Sequence, residues 1–263
     1  MAAEPDALDI IRRSLAAETE NTKLATNYTY LQRTEDRELD SNGQVKSRRS
    51  KTQDVTILKD STFRRLVERD DRPLSPEEDS REREQLRKSI EGQRHETDAQ
   101  RAQRTAESEK RPGRSREMLK EIPDAFEFRL RGEETVESRP AYVIDATPRP
   151  GYHPKNSQAR LLLPNLKATF WIDKSDFNWV RLDAEVIDNI SYGWFLVRLS
   201  KGAHVRVDRT RVNNEVWLPK RVSLAGSARL ALVRKLNVEQ ENTYRNYRKF
   251  QSESELILTP GAR

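Results

Sequence analysis

The sequence predicts a single α+β domain, in which a twisted antiparallel sheet of about ten strands carries helices on one face. Two observations lead to this prediction. In the stretch 124–250, segment after segment alternates apolar with polar residues, as in Phe126, Phe128 and Leu130. Because successive side chains of a strand point to opposite faces, each such segment has one apolar and one charged face. Turn-forming residues separate the segments, which favours antiparallel pairing between neighbours.

The first 74 residues predict a helix followed by a three-stranded meander. Leu8, Ile11 and Leu15 recur at helical spacing, so residues 6–21 form an amphipathic helix. Strand-like stretches and turn residues then follow as far as Pro73.

A highly charged segment at about 75–113 interrupts the strand pattern. Ser75 followed by Pro76 and two glutamates is typical of a helix start, and we expect a helix over 76–93. We expect lower order over 95–113, because almost no apolar residue there can be buried.

The end of this segment predicts a return to the sheet. Pro112 and Gly113 are expected to break any helix, and a short helix over 115–121 should dock through Met118 and Leu119. Pro123 is expected to end that helix.

Glycine and proline positions predict the turns of the second half. Gly132 and Gly226 are both interpreted as turn positions. Three prolines between residues 148 and 154 indicate an ordered surface loop rather than a central strand.

The net charge of the 263-residue chain is +6, and its excess of positive charge lies near the C-terminus. Residues 139–263 carry 21 Lys and Arg against 12 Asp and Glu. Such a field favours anionic partners such as phospholipid head groups or nucleic acid. A solvated sheet face that uses basic residues for solubility is the other interpretation.

The chain has no cysteine, so disulfides, thiolate metal sites and acylation at a cysteine are excluded for this sequence. No apolar run approaches the roughly 18 residues that a membrane-spanning helix needs. The start, Met1 to Pro5, is expected to be a start codon placed before a mature N-terminus whose signal peptide has been removed.

Catalytic signatures are missing from the sequence. His95, His153 and His204 lack metal-ligand spacing to one another, and no zinc-protease, nucleophile-elbow or phosphate-loop motif occurs. Asp145 and Asp173 are better explained as strand carboxylates than as a catalytic pair. We therefore expect no enzyme activity, no cofactor and no metal site.

The tryptophans are interpreted mainly as packing residues. Trp171 and Trp217 are out of phase with their apolar neighbours on either side, which places them on the opposite surface of the sheet or at a helix interface.

Three segments resemble a known group of proteins, the LolA/LolB-like periplasmic lipoprotein carriers, including the outer-membrane lipoprotein-sorting proteins. These are Arg139-Pro140-Ala141-Tyr142-Val143-Ile144, Phe170-Trp171-Ile172-Asp173 and Val216-Trp217-Leu218-Pro219. The resemblance covers about four-fifths of the chain, all but the charged insertion. It implies a curved, open antiparallel β half-barrel whose concave apolar face is capped by helices, a cavity for acyl chains and a periplasmic location.

The resemblance also directs attention to particular residues. The expected cavity lining consists of alternating apolar strand residues: Phe128, Leu130, Ile144, Ile172, Leu182, Phe195 and Val197. The expected contacts to an anionic head group are basic residues near the mouth: Arg149, Lys155 and Arg160. Solid packing of the same face against helices remains the other interpretation.

The function favoured by the sequence is a carrier that shields a lipid or lipoprotein acyl chain and touches the membrane surface transiently. The alternative is a non-catalytic envelope interaction or sensor module, in which the charged segment binds a protein partner. Nucleic-acid binding is disfavoured, because only the stretch 244–250 places aromatic residues among basic ones, and it also fits a last strand.

Overall fold

A computed structural model describes residues 5–58, 61–192, 197–230 and 234–249. The helices are α1 (Ala7–Ala25), α2 (Pro76–Arg94), α3 (Asp98–Ala125) and α4 (Ser157–Leu162), with a 3₁₀ turn at Leu163–Asn165. The strands are β1 (Tyr28–Leu39), β2 (Val45–Leu58), β3 (Ser61–Arg69), β4 (Arg72–Pro73), β5 (Phe126–Val136), β6 (Arg139–Pro148), β7 (Leu166–Asp173), β8 (Trp179–Val186), β9 (Ile190–Tyr192), β10 (Val197–Leu199), β11 (His204–Val212), β12 (Val216–Leu230) and β13 (Arg234–Lys249).

These strands form one 13-stranded antiparallel sheet. Its main path runs β4-β3-β2-β1-β13-β12-β11-β8-β7-β6-β5, and β10 pairs with both β12 and β9. The first and last long strands, β1 and β13, are therefore neighbours in the middle of the sheet. The predicted fold class is confirmed: an α+β protein with an open, curved antiparallel sheet and helices over its concave face.

Helix α1 begins where the sequence predicted and continues to Ala25. The carboxylate of Asp6 accepts a hydrogen bond from the N–H of Leu8 at 3.2 Å and so caps the first turn. Ile10 and Ile11, each 2% exposed, lie on the buried side of the helix. Burial of this apolar stripe holds α1 against the sheet.

Helix α2 confirms the predicted start at Ser75. The Ser75 hydroxyl accepts from the N–H of Glu78 at 3.2 Å, and the Glu78 carboxylate accepts from the N–H of Ser75 at 3.1 Å. This capping box satisfies two backbone donors at once. Along β3, the carboxylate of Glu82 accepts from the N–H of Leu66 at 3.2 Å. Helix α2 thereby covers a backbone donor at the outer side of the sheet.

The predicted break at Pro112 is wrong, because α3 continues through it as one helix of 28 residues. The only non-helical residues between α2 and α3 are 95–97. A proline inside a helix removes one hydrogen bond and costs about 3 kcal/mol. The docked end of α3 offsets this cost, since Ile122 and Ala125 are buried in the core.

The short helix predicted over 115–121 is the last part of α3, and Pro123 lies inside the helix rather than at its end. Its docking residues are as expected, because Met118 and Leu119 pack against the core.

Gly132 and Gly226 lie inside strands, so both predicted turns are wrong. Gly132, with φ of 144°, lies at a bulge in β5. At Gly226 a Cβ would come within 2.6 Å of the Cβ of Ala203, so this position excludes any side chain. The hairpin between β5 and β6 turns instead at Glu137 and Ser138, whose φ values are 51° and 63°.

The two faces of the sheet have separate apolar clusters. The larger one lies on the concave face between the sheet and α1, α3 and α4. One of three smaller clusters among the described residues lies on the convex face and contains Val136, Ala141, Val180 and Trp217, with Trp171 packed against it. The prediction that Trp171 and Trp217 face away from the main apolar surface is therefore confirmed.

Candidate functional site

Helices cover the concave face over strands β5 to β7. The buried residues of this cluster come from the helices as well as the strands: Ala7, Ile10, Ile11, Ile122, Ala125, Phe126, Ile144, Ala146, Ala159, Leu163 and Ile172. Ile144 and Ile172 have no exposed surface at all. This half of the face is a packed core rather than an open surface.

A buried ion pair marks the border of the helix-covered half. Arg209 on β11 donates to both carboxylate oxygens of Glu18 on α1, at 2.6 and 2.8 Å. The same guanidinium lies 3.3 Å from the centre of the Trp179 ring. Arg209 is 8% exposed and Glu18 is mostly covered, so the pair is shielded from solvent. It anchors the middle of α1 to the sheet.

Beyond this border, the concave face continues as two rows of aliphatic side chains across β8, β11 and β12. Leu182 pairs with Val207, which pairs with Val222. In the adjacent row, Val205 pairs with Leu224. Directly paired residues share a face, so these side chains extend the apolar surface that begins at the helix-covered cluster.

The aliphatic rows are only half-buried. Leu182, Val205, Val207, Val222 and Leu224 each keep an intermediate exposed fraction, unlike the fully buried Ile144 and Ile172. None of the five belongs to the four apolar clusters of the described residues. We define these five residues as the aliphatic rows. They form an apolar surface whose burial is incomplete, which is the property expected of a ligand-binding wall.

The rows become polar at β13 and β1. Asn242 pairs with Val222, and its carbonyl oxygen accepts from the Thr34 hydroxyl at 2.7 Å and from the Gln32 amide at 3.0 Å. Gln240 pairs with Leu224 and donates to the carboxylate of Asp36 at 2.7 Å. We define these five residues, Gln32, Thr34, Asp36, Gln240 and Asn242, as the polar ladder.

Three tyrosines lie beside the polar ladder. The ring of Tyr30 lies 5.6 Å from that of Tyr244 and 5.5 Å from that of Tyr247. Burial raises the pKa of each phenol above its ordinary value. All three therefore stay protonated at neutral pH, and the Tyr247 hydroxyl donates to the carbonyl of Pro219 at 2.5 Å.

The predicted cavity residues separate into three groups. Phe128, Leu130, Ile144 and Ile172 lie in the helix-covered cluster. Leu182 lies in the aliphatic rows. Phe195 lies outside the described residues, and of Val197 the structure describes only its backbone in β10, paired with Leu230.

The predicted head-group residues lie close together in sequence, Arg149 and Lys155 in the exposed loop after β6 and Arg160 in the last turn of α4. Arg149 donates to the carbonyl of Phe126 at 3.3 Å, and Arg160 donates to the carbonyl of Pro154 at 3.3 Å. Lys155 is exposed. Their charges remain accessible, but the loop lies beside β6, three strands away from β11.

Glu121 on α3 fixes the shape of this loop. Its carboxylate accepts from the backbone N–H groups of Lys155 and Asn156, both at 2.8 Å, and from the Tyr152 hydroxyl at 3.2 Å. Burial opposes the charged form of Glu121, but these donors outweigh it and lower its pKa. The loop is thus ordered by the last part of α3, which the sequence predicted as a short docked helix over 115–121.

The three segments that carry the family resemblance meet at one end of the sheet. Arg139 donates to both carboxylate oxygens of Asp173, at 2.5 and 3.0 Å, and its guanidinium lies 5.8 Å from the Trp217 ring. Asp173 also accepts from the N–H groups of Ser175 and Asp176. The contacts among Arg139, Asp173 and Trp217 hold the three segments together, so a structural role accounts for these residues.

The pKa of Asp173 agrees with that role. Burial opposes its charged form, yet the Arg139 guanidinium and the Ser175 hydroxyl and N–H lower its pKa below the ordinary value. A carboxylate that is 1% exposed and fully engaged with these donors is a poor candidate for proton transfer.

Of the aliphatic rows, the sequence prediction named only Leu182 on β8 and missed the four residues on β11 and β12. The signal was present, because Val205 and Val207 alternate, as do Val222 and Leu224. What the sequence lacked was the pairing that aligns these residues with Leu182.

One histidine–carboxylate pair lies outside the aliphatic rows. His204 and Asp183 form a pair on the convex face, away from the aliphatic rows. The described residues contain no group of three His, Cys, Asp or Glu side chains arranged to hold a metal ion. Within the same residues, none of the helices combines the length and hydropathy needed to cross a membrane.

Comparisons with known proteins return matches only among solved structures. No protein-family model and no curated protein matches the chain. A domain assigned to outer membrane lipoprotein-sorting proteins from Vibrio parahaemolyticus is 7% identical, with 93% of this chain and 96% of that chain covered and a TM-score of 0.34.

Two further structures are similar over most of their length. A DUF1329 family protein from Desulfovibrio piger is 11% identical, with 93% and 94% of the two chains covered and a TM-score of 0.36. A LolA superfamily protein from Nitrosomonas europaea is 8% identical, with 98% and 99% covered and a TM-score of 0.30. Identities and TM-scores this low say nothing about what this chain binds.

Proposed function

We propose that this protein is a non-catalytic periplasmic carrier that holds the acyl chain of a lipid or lipoprotein against the concave face of its sheet. The observation that supports this function is the set of aliphatic rows, which are apolar, aligned across three strands and only half-buried. The periplasmic location and the transient contact with a membrane surface rest on the sequence resemblance.

Burial of methylene groups supplies the binding energy in this proposal. Each CH₂ removed from water contributes about 0.8 kcal/mol, so a chain of several methylenes laid along the rows binds without any polar contact. The helix-covered cluster next to the rows, which contains the predicted residues Phe128, Leu130, Ile144 and Ile172, forms the wall against which the bound chain packs. The proposed function does not depend on Arg149, Lys155 and Arg160, the head-group contacts predicted from the sequence, which lie in the loop after β6, three strands from β11.

The test replaces two aliphatic side chains without disturbing the opposite face. In the double variant Val207→Asn with Val222→Asn, two directly paired residues of the rows become polar. We expect affinity for a fluorescent fatty acid to fall at least about tenfold, because each buried aliphatic side chain contributes about 1.5–3 kcal/mol.

The matched control is Arg206→Asn with Ser223→Asn, the neighbouring pair on the same two strands but on the convex face. It should bind the fatty acid within about twofold of the wild type. Urea denaturation confirms that both variants are folded. Equal binding by both double variants, or no fatty-acid uptake and no co-purified lipid in the wild type, would contradict the proposal.

The alternative, an interaction module that binds a protein partner through the charged helices, has less support. The charged side chains of α2 are largely paired within the helix. Arg83 contacts Asp79 at 2.7 Å, and Arg87 contacts Glu84 and Glu91 at 2.7 Å each. Pairs of this kind stabilise a solvated helix and need no partner.

A further inference from the structure

The aliphatic rows and the polar ladder continue into a third zone of positive charge on the same face. In one row, Asn242 pairs with Thr34, which pairs with Lys51 on β2. In the other, Gln240 pairs with Asp36, which pairs with Arg49. Because paired residues share a face, Arg49 and Lys51 lie on the concave face beyond the polar ladder.

Neither Arg49 nor Lys51 is neutralised by an ion pair. Both residues are exposed, and within the described ranges neither contacts an acidic side chain. On the convex face of the same strand, by contrast, Arg48 is paired with Glu35 at 2.7 Å and with Asp71 at 3.1 Å. The concave side of β2 therefore has uncompensated positive charge, although the convex side of the same strand has matched charges.

A third cation lies further along the same face, opposite Val55 and therefore four residues from Lys51 along β2. Arg64 on β3 is exposed and donates to the side-chain oxygen of Gln32 at 2.8 Å, which links it to the polar ladder.

Two acidic groups of β1 lie on this face. Asp36 lies next to Arg49 in the row and its carboxylate accepts from Gln240, and Glu38 contacts Lys46 at 3.6 Å. Lys46, Arg49, Lys51 and Arg64 outnumber these two acids, so the net charge of this part of the face is positive.

The apolar, polar and positively charged zones follow one another in a fixed order from strand to strand across the sheet. Adjacent strands are about 4.8 Å apart, so the open aliphatic rows from β8 to β12 span about 10 Å. Amide and hydroxyl groups, together with the Asp36 carboxylate, follow on β13 and β1, and the cations Arg49 and Lys51 follow on β2.

From this order we infer that the concave face binds a single anionic phospholipid in a defined direction, with its acyl chains on the aliphatic rows and its phosphate near Arg49 and Lys51. The Asn, Gln and Thr side chains of the polar ladder then lie where the ester groups of the lipid need hydrogen-bond donors. The inference rests on the proposed function and adds to it the class of ligand and its orientation. It places the head group at β2 and not at the loop of Arg149 and Lys155.

The experiment compares two soluble lipids that differ only in the head group. Wild-type protein is titrated with monomeric dihexanoyl phosphatidylglycerol, which is anionic, and with dihexanoyl phosphatidylcholine, which has no net charge. We expect tighter binding of the anionic lipid, by about tenfold at low salt, because two exposed cations near a phosphate contribute about 1 kcal/mol or less each. The preference should shrink in 0.5 M salt, where charges are screened within a few ångströms.

The variant Arg49→Gln with Lys51→Gln should lose this preference and bind phosphatidylcholine within about twofold of the wild type. Its matched control, Arg149→Gln with Lys155→Gln, should keep the preference. Each double variant removes two positive charges from exposed residues, so a difference in lipid preference between the two variants cannot come from the change in net charge.

The outcomes distinguish the inference from the function on which it rests. Binding of neither lipid by the wild type would overturn both. Equal binding of the two lipids, or loss of the preference in the loop variant but not in the β2 variant, would overturn the orientation and leave the proposed function standing. Protein that attaches to phosphatidylglycerol vesicles without taking up the monomeric lipid would show surface adsorption, which also overturns the inference.

Discussion

At the scale of single residues, Glu35 has the clearest electrostatic role. Its side chain is 3% exposed and contacts Arg37 at 2.5 Å, Arg48 at 2.7 Å and also Arg33. Arg33 in turn donates to both carboxylate oxygens of Asp71, at 2.6 and 2.8 Å. Three guanidinium groups and two carboxylates thus form one network that connects β1, β2 and the turn before β4.

This network makes the stability of the fold dependent on acid pH. The donors of Arg48, with those of Arg33 and Arg37, lower the pKa of Glu35 to about 2 although its burial acts in the opposite direction. A carboxylate whose pKa is lower in the folded state than in the unfolded state stabilises the fold above its unfolded pKa of about 4.3. That stabilisation is lost as the pH falls from about 4.5 to about 2.

We expect Glu35→Gln to lower the free energy of unfolding at pH 7 by about 1–3 kcal/mol, because three arginines lose a charged acceptor. The variant should also show a smaller loss of stability than the wild type between pH 4.5 and 2. Urea denaturation at several pH values measures both effects. Glu20→Gln is the control, since Glu20 is a surface acid whose side chain is 69% exposed. Parallel pH curves for Glu35→Gln and wild type would contradict this account.

At the scale of elements, one helix side chain ties α1 to a strand by two hydrogen bonds. The amide of Asn21 donates to the carbonyl of Trp217 at 2.8 Å, and its oxygen accepts from the N–H of Trp217 at 2.7 Å. Asn21 is 6% exposed, so the two backbone groups lie in a site that water does not reach easily. The Trp217 indole N–H donates to Asp176 at 2.9 Å, which fixes the convex side of the same strand.

We expect Asn21→Ala to destabilise the fold by about 2–4 kcal/mol, because it leaves two buried backbone groups of Trp217 without partners. Asn21→Asp keeps the acceptor and loses the donor, and it should lie between the alanine variant and the wild type near neutral pH. Thermal and urea denaturation measure the order of the three. A loss below about 0.5 kcal/mol in Asn21→Ala would show that water replaces the side chain.

At the scale of the whole molecule, the last strand joins the two ends of the sheet. Strand β13 pairs with β1 on one side and with β12 on the other, and the N-terminal meander reaches the rest of the sheet through it. The pairing of Tyr28 with Lys249 shows how far apart in sequence these partners are. Closing such contacts costs chain entropy before the contacts themselves can form.

We therefore expect a chain that ends at Leu230, which lacks β13, not to form the native sheet. The two strands β1 and β12 would each be left with an unpaired edge. The shorter chain should lack the near-ultraviolet circular dichroism signal of fixed aromatic side chains, and its unfolding in urea should not be cooperative. A chain that ends at Lys249 keeps β13 and is the matched control. A cooperative transition in the shorter chain would show that the two parts of the sheet fold independently.

The organisation of the chain as one domain over 1–263, with a charged helical insertion at about 75–113, stays a prediction. The truncation experiment addresses it, because separate domains would survive the loss of β13. Within the described residues the insertion is helical, as α2 and the first half of α3.

Local features of the fold could be predicted because their causes lie within a few residues of each other. The capping box at Ser75, the amphipathic stripe of α1 and the alternation of Phe126 and Phe128 all depend on near neighbours. The errors occurred where distant contacts outweigh local preference. Pro112 lies inside a helix because the end of that helix is docked. Gly226 lies inside a strand because Ala203 occupies the space where its side chain would be.

For the candidate site, the sequence determined which residues are apolar and that they lie on one face of each strand. Alternation and the family resemblance together also named Leu182 as a cavity-lining candidate. Only the tertiary structure decided which strands lie side by side, because register and strand order are set by pairings between residues as distant as Thr34 and Asn242. That order separates Ile144, buried under helices, from Val222, half-buried on the open rows. It also places Lys51 at the end of the row that begins with aliphatic side chains, since a face that several strands share exists only after they have paired.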